Sequence, residues 1–183
     1  MTSLIAIDES IFRFFNLHDT NALLDIAAIF LSNVYTWWIC AAVFALIGAI
    51  KRKKRFLQIG LLLIASMGIS DLISARALKP FVERARPCRQ LSDVRAIAGC
   101  SGTNGFPSNH ASNAMAATAI LFAIGARRWA VCLFIISLLV GWSRLYLGVH
   151  FPSDVLAGFG VGALVSYALF LILKNRFQLR LSD

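Results

Sequence analysis

Long apolar runs cut by short basic blocks constrain this chain more than any other feature. Residues 22–50 carry a single charge, Asp25, and stop at Lys51-Arg52-Lys53-Lys54-Arg55. A helix needs about 20 mostly apolar residues to cross the hydrocarbon of a bilayer. Runs at 56–75, 108–125 and 155–173, and one beginning at Trp129, bring the expected spans to five. Composition agrees: 58% of the chain is hydrophobic and 15% charged, against about half and about a quarter in soluble domains. The runs are helix-length and lack the alternation of a barrel strand. The expected fold is an all-α integral membrane protein, one domain over residues 1–183, without repeats or linkers. Residues 1–20 mix Ile5, Ile11, Phe12, Phe14, Phe15 and Leu17 with Asp8, Glu9 and Arg13. That pattern reads as an interfacial amphipathic helix, with a loosely packed terminal helix as the plainer alternative. It lacks the basic start and short apolar run of a cleavable signal.

Basic blocks between apolar runs mark the cytoplasmic side of a membrane. With 51–55 inside, five spans place Arg127, Arg128 and the tail bearing Lys174, Arg176 and Arg180 inside as well. The N-terminus and the loops 76–107 and 143–154 then lie outside. Ten of the eighteen Lys and Arg fall inside, yet six of the other eight crowd one outer loop: Arg76, Lys79, Arg84, Arg86, Arg89 and Arg95. Cations held against the usual orientation bias need a reason, and an anionic group supplies one. The net charge of +9 would point to nucleic acid in a soluble chain. Between apolar spans it points to an anionic lipid or membrane surface, and no nucleic-acid partner is expected.

Cys88 and Cys100 bracket a short stretch of the same outer loop, whereas Cys40 and Cys132 lie in apolar runs and read as packing residues. A disulfide between Cys88 and Cys100 suits an oxidising compartment and would contribute about 3 kcal/mol by loop entropy. A zinc site is the rival, but these cysteines with His110 form no recognised ligand spacing.

Three stretches carry chemistry. Lys79 and Arg86, with Pro87 forcing extended backbone at Arg86, pair an ammonium point charge with a planar fork, as a phosphate clamp does. Ser108, after Pro107 and before an apolar run, is an N-cap candidate, and a helix start favours anions; Asn109 and His110 follow it. Arg144 precedes His150 by six residues, and Asp154 follows by four. If that segment is helical, Asp154 can hold one ring nitrogen of His150 and leave the other as base or nucleophile. Taken singly, the stretches read more plainly as a snorkelling anchor, a helix cap and a polar loop at the membrane edge. Two of the three histidines, however, fall within them, and all three stretches sit on one side of the expected topology.

In order and spacing, Lys79-x6-Arg86-Pro87, Pro107-Ser108-x-His110 and Ser143-Arg144-x5-His150-x3-Asp154 resemble the three signature motifs of the type 2 phosphatidic acid phosphatase (PAP2) superfamily. The resemblance implies a small bacterial inner-membrane lipid phosphatase with its site facing outward. It implies that His150 attacks phosphorus, Asp154 orients it, and His110 protonates the leaving oxygen. Lys79, Arg86, Ser108, Arg144 and the Asn109 amide would hold the phosphate oxygens. Asn109 departs from the glycine common in the family and adds bulk beside the phosphate. Fixed cations can replace a metal in phosphoryl transfer, so no metal or cofactor is expected and activity should resist EDTA. Substrates implied by the resemblance are undecaprenyl diphosphate and the 1-phosphate of lipid A. The alternatives are phosphatidylglycerol phosphate, transfer of the phosphoryl group to a second lipid, and a lipid-binding scaffold without turnover. A transporter would show repeated halves or broken midplane helices, and neither is evident.

Overall fold

The structure, a computed structural model, describes residues 2–18 and 20–177. Among these the chain is helical, with a single bridge between Ala85 and Asn104 as its only extended pairing. Helix α1 is Thr2–Leu17, α2 Ala22–Leu31, α3 Val34–Ile50 and α4 Lys54–Leu72. A π-helical turn, Ile73–Leu78, leads from α4 into α5, Lys79–Val82. Short α6, Pro87–Gln90, is followed by α7 Asn109–Ala123, α8 Arg127–Tyr146 and α9 Pro152–Phe177.

Three stretches are long and apolar enough to cross a membrane: Lys54–Val82, Arg127–Tyr146 and Pro152–Asn175. A fourth crossing forms if α2 and α3 count as one span bent by 50°. The bend falls at Ser32-Asn33, inside the run read as one uninterrupted span. Asn33 accepts the Tyr35 N–H at 3.1 Å, and Trp37 Nε1 donates to the Leu31 carbonyl at 3.0 Å. The break is therefore capped on both sides. Leu23, Phe30, Ile39, Leu61, Trp129, Leu156, Leu164 and Ile172 turn outward, as a lipid-facing surface requires.

The helix expected over 108–125 is present as α7 and holds the centre of the bundle, packed by α4, α8 and α9. Its 15 residues span about 22 Å at 1.5 Å each, short of a bilayer crossing by length alone. Buried hydroxyls tie it to its neighbours: Ser112 to Ser70 and Ser74 on the α4 side, and Thr118 to Ser137 of α8. Toward α9 the spacing is tighter. A methyl group added at Gly162 would come within 2.1 Å of the Ser112 carbonyl, and one at Gly158 within 2.6 Å of the Ser108 carbonyl. Such small residues let membrane helices pack backbone to backbone.

The helices alternate in direction, so the bundle has two ends. Leu62, Ile120, Leu121, Ile124 and Phe170 pack together toward the end that carries Lys51–Lys54 and Arg127–Arg128. Ala111, Leu145 and Val155 pack beneath the other end, where the three chemistry-bearing stretches meet. Lys174 lies at the basic end; Arg180 is outside the described residues.

Two boundaries differ from expectation. The loop expected from Arg76 begins at Glu83, because the helix runs on through Lys79 to Val82. Pro80 has no N–H to donate and its ring crowds the preceding turn. The wider π-helical turn accommodates it, with the Lys79 N–H reaching back to the Ser74 carbonyl. Glu83, in left-handed conformation at φ 50°, then ends the helix. Likewise Ser143 and Arg144 belong to α8, and only residues 147–151 separate it from α9. Arg86 is extended as Pro87 demands, at φ −76° and ψ 154°.

Helix α1 carries an inward stripe at i, i+4 and i+8: Asp8, Phe12 and Asn16 are buried, while Leu4, Ile5, Ile7, Ile11 and Phe14 face outward. Two of the three inward residues are polar and the outward face is largely apolar, as suits a helix at a membrane surface. Asn16 is satisfied on every side, donating to the Arg95 and Tyr146 carbonyls at 3.0 and 2.8 Å and accepting the Arg95 N–H at 2.9 Å.

Candidate active site

The site forms where the start of α7, the end of α8 and the start of α9 converge under the 83–107 segment. Ser108 precedes α7 in extended conformation, as an N-cap does, but its hydroxyl caps nothing. Its Oγ is buried without a protein partner. The Ser108 N–H instead donates to the Asp154 carbonyl at 2.9 Å, which fastens the start of α7 to the start of α9. The remaining first-turn N–H groups of α7 have no intrahelical acceptor and lie at the positive end of the helix dipole.

Asn109 does not crowd this helix start. Its side-chain amide is turned onto α4, donating to the Asp71 carboxylate at 2.9 Å, and Asn113 donates to the same oxygen at 3.0 Å. Asp71 is thus held by two amides.

Lys79, at the end of the α4 continuation, donates to the Asn104 and Pro107 carbonyls at 3.2 and 2.9 Å. Its own carbonyl accepts the Asn104 side-chain amide at 3.0 Å. The ammonium is thereby anchored to the loop entering α7, within electrostatic reach of Arg86, Arg144, Asp154 and Asp71. Arg86 and Arg144 each bury an Nε–H without a protein partner. A buried donor left unmatched costs about 1–3 kcal/mol. Two such donors and the free Ser108 hydroxyl at one place match the oxygens of a phosphoryl group.

The Cys88–Cys100 disulfide, with Cα atoms 6.0 Å apart, closes the segment after Arg86. Arg89 Nε donates to the Gly102 carbonyl at 3.0 Å within the same fold-back.

His150 is 1% exposed and Asp154 fully buried. Burial first, then the charges of Arg144, Arg86 and Lys79, push the His150 imidazole well below its ordinary range. It is therefore neutral, with a lone pair available. Its Nδ1 lies 3.6 Å from Asp154 Oδ2. His110, on the first turn of α7, is within electrostatic reach of Arg144, Arg86 and His150. The structure thus gathers Lys79, Arg86, Ser108, Asn109, His110, Arg144, His150 and Asp154 at one end of the bundle.

The cation-rich segment divides its labour. Lys79 and Arg86 face the site. Arg95 pairs with Asp25 of α2 at 2.5 Å, and Asp25 also accepts the Tyr146 hydroxyl at 2.6 Å. Arg76 is exposed. Fastening α2 to the loop thus accounts for part of the charge excess that the sequence suggested was there for an anion.

Three residues at the site escaped the sequence reading. Arg84 pairs with Asp154 at 2.8 Å and with Asp8 at 2.6 Å. Ser32, at the α2–α3 break, accepts a hydrogen bond from Arg144. The available signals were the third cation of the Lys79–Arg86 stretch, the inward stripe of α1, and the Ser-Asn pair interrupting an apolar run.

Comparison with known proteins identifies the family. The PAP2 superfamily model matches residues 56–178. The chain is 29% identical over 167 residues to the lipid A 4'-phosphatase of Porphyromonas gingivalis, covering 85% of this chain and 70% of that one. It is 27% identical over 164 residues to the undecaprenyl-diphosphatase of Sulfolobus acidocaldarius, covering 89% and 77%. The crystal structure of a transmembrane PAP2-type phosphatidylglycerolphosphate phosphatase from Bacillus subtilis superposes with a TM-score of 0.74 at 25% identity, covering 97% and 89%. The match spans the helices that build the site and all three motif stretches within them, and the chain belongs to the PAP2 superfamily as a multi-pass membrane phosphatase.

Proposed function

We propose that the protein removes phosphate from a membrane lipid phosphate or diphosphate, without a metal, through a phosphohistidine on His150 at the outer face of the bacterial inner membrane. The observation that carries this reading is the convergence of Lys79, Arg86 and Arg144, from three separate segments, on a buried neutral histidine. Phosphoryl transfer asks mainly for positioning and charge stabilisation, and three fixed cations supply both.

The cations, the Ser108 hydroxyl and the Asn109 N–H hold the phosphoryl oxygens. The lone pair of His150 Nε2 attacks phosphorus as the bond to the leaving oxygen breaks, and His110, which takes up a proton as the negatively charged phosphate binds beside it, gives that proton to the leaving oxygen. Neutral His110 then takes a proton from water as the water oxygen attacks phosphorus. The P–N bond breaks, its electron pair returns to His150, and inorganic phosphate leaves.

A lipid can keep its tail in the bilayer beside the apolar helices and present its head to this end of the bundle. Undecaprenyl diphosphate and lipid A are the substrates this reading favours, supported by the likeness to proteins named for them. The test is phosphate release by purified protein in detergent with EDTA, on undecaprenyl diphosphate, lipid A, phosphatidylglycerol phosphate and phosphatidic acid. Release from one lipid, abolished in His150→Ala, is expected. A strict need for added divalent metal, or full turnover in His150→Ala, would refute the mechanism.

A further inference from the structure

Asp154 serves His150 only if the right carboxylate oxygen stays facing the ring. Oδ2 accepts the Phe151 N–H at 2.9 Å and faces His150 Nδ1. Oδ1 accepts from Arg84 Nη1 at 2.8 Å. Both oxygens are therefore committed, and rotating the carboxylate would break a charge-assisted bond.

Arg84 is itself pinned. Its Nη2 donates to Asp8 Oδ2 at 2.6 Å and its Nη1 to Ser153 Oγ at 2.5 Å. Its guanidinium stacks 4.3 Å above the Phe151 ring. Asp8 grips the same segment directly, accepting the Ser153 N–H at 2.9 Å and its hydroxyl at 2.6 Å. One turn along α1, Phe12 packs edge-on against Phe151 with ring centroids 5.5 Å apart. Asp8 and Phe12, on the buried face of α1, thus grip Ser153 and Phe151 in the segment that follows the nucleophile.

Arg84 has both terminal nitrogens engaged by carboxylates, which leaves it poorly placed as a phosphate ligand. What it prevents is equally specific. Asp154 also feels Arg86 and Lys79. Released from Arg84, the carboxylate would be drawn toward those cations, away from His150, and would neutralise charge meant for the phosphate.

We infer that Arg84 is a positioning residue for phosphoryl transfer, locked in place by Asp8, so that the N-terminal helix α1 is part of the catalytic apparatus. This rests on the reading of His150 as nucleophile.

The test is steady-state kinetics on the lipid that the wild-type protein hydrolyses, with thermal unfolding of each variant. Misplacing a reacting group by about 1 Å can cost about 10²-fold in rate. Arg84→Met should lower kcat by about that factor, with KM within about twofold and slower phosphoenzyme formation. Arg84→Lys, which keeps the charge and one arm, should recover part of the loss. Asp8→Asn, isosteric and the least threatening to folding, should lower kcat by about tenfold. Because Asp8 acts through Arg84, the double variant should be little worse than Arg84→Met alone.

A lower unfolding temperature with kcat unchanged in both Arg84→Met and Asp8→Asn would overturn the inference, leaving a plain structural tie. A raised KM at unchanged kcat would make Arg84 a binding group instead. Fully additive losses would remove the role given to Asp8. His150→Ala is the separate control: turnover surviving there sinks the nucleophile reading itself, whatever the Arg84 variants do.

Discussion

His150 Nδ1 and Asp154 Oδ2 stand 3.6 Å apart, beyond hydrogen-bond length although well within charge interaction. The neutral ring gains little from Asp154 at rest. In the proposed phosphohistidine, Nε2 would bond to phosphorus, the ring would become cationic, and the carboxylate would then stabilise it strongly. The pair is better matched to that proposed state than to the resting one, which is where binding energy accelerates a reaction.

Asp154→Asn keeps the shape of the side chain and removes its charge. It should lower kcat by about 10³–10⁴-fold, as loss of the orienting carboxylate does in other histidine sites. KM should change little, because both Asp154 oxygens are taken by protein donors. Steady-state rates on a hydrolysed lipid, with rapid-quench detection of the phosphoenzyme, check both points.

The depressed His150 imidazole sets a pH dependence with a definite sign. Burial and three neighbouring cations disfavour its protonated form, so the proposed nucleophile stays neutral below the ordinary imidazole value of about 6.5. The acid limb of kcat/KM attributable to His150 should therefore fall below pH of about 6.5. The same shift bears on stability. Above about 6.5 the ring is neutral folded and unfolded, and pH has no effect through it. Below that, the unfolded chain takes a proton that the native site refuses. The His150 contribution to native stability should decline from about pH 6.5 down to the folded value. Comparing unfolding of wild type and His150→Gln across this range isolates the contribution.

Ser108 separates two roles that a sequence leaves merged. A serine ahead of a helix ordinarily caps it, and removing such a cap costs about 1 kcal/mol. Here the hydroxyl makes no cap bond, and the backbone N–H does the fastening to Asp154. Ser108→Ala should therefore leave the unfolding temperature nearly unchanged while lowering activity, by up to about 10²–10³-fold if the hydroxyl is a full phosphate donor. Arg144→Ala should cost a similar factor in rate, with some stability lost as well, because its bond to Ser32 goes with it.

Features whose partners lie close in sequence were legible in it. Ser108 with His110, and His150 with Asp154, declare themselves by local spacing. Pro87 forces the extended turn at Arg86 through sterics alone. Long apolar runs announced the helices. What escaped depends on contacts between distant segments. Asp8 and Arg84 are 76 residues apart, and nothing local distinguishes Asp8 from a solvated charge on a surface helix. Ser32-Asn33 was visible as a polar pair, but hydropathy over a long window outweighs two residues, so the bend was read through. The helix ran past Arg76 because a π-helical turn accommodates Pro80, which a rule that proline breaks helices does not anticipate. Arg95 looked like another phosphate cation until Asp25 was brought beside it by the packing of α2.

The contact between α7 and α9 carries the last prediction. Gly162 has the Ser112 carbonyl where a methyl group would stand, at 2.1 Å, and the obstacle is backbone that no rotamer change can move aside. Two residues earlier on the same helix, Gly160 has nothing within 4 Å of that position. Alanine at either place offers the same helix propensity, so the pair isolates the packing effect. Gly162→Ala should force the helices apart, at a cost of roughly 1–3 kcal/mol for overpacking. The displacement would carry the start of α7 away from the start of α9 and stretch the Ser108 N–H bond to the Asp154 carbonyl, so activity should fall along with stability. Gly160→Ala should leave both intact or raise stability slightly through reduced chain entropy in the unfolded state. Unfolding in detergent together with lipid phosphatase rates distinguishes the two variants. Equal behaviour would mean that close approach of α7 and α9 does not govern the site.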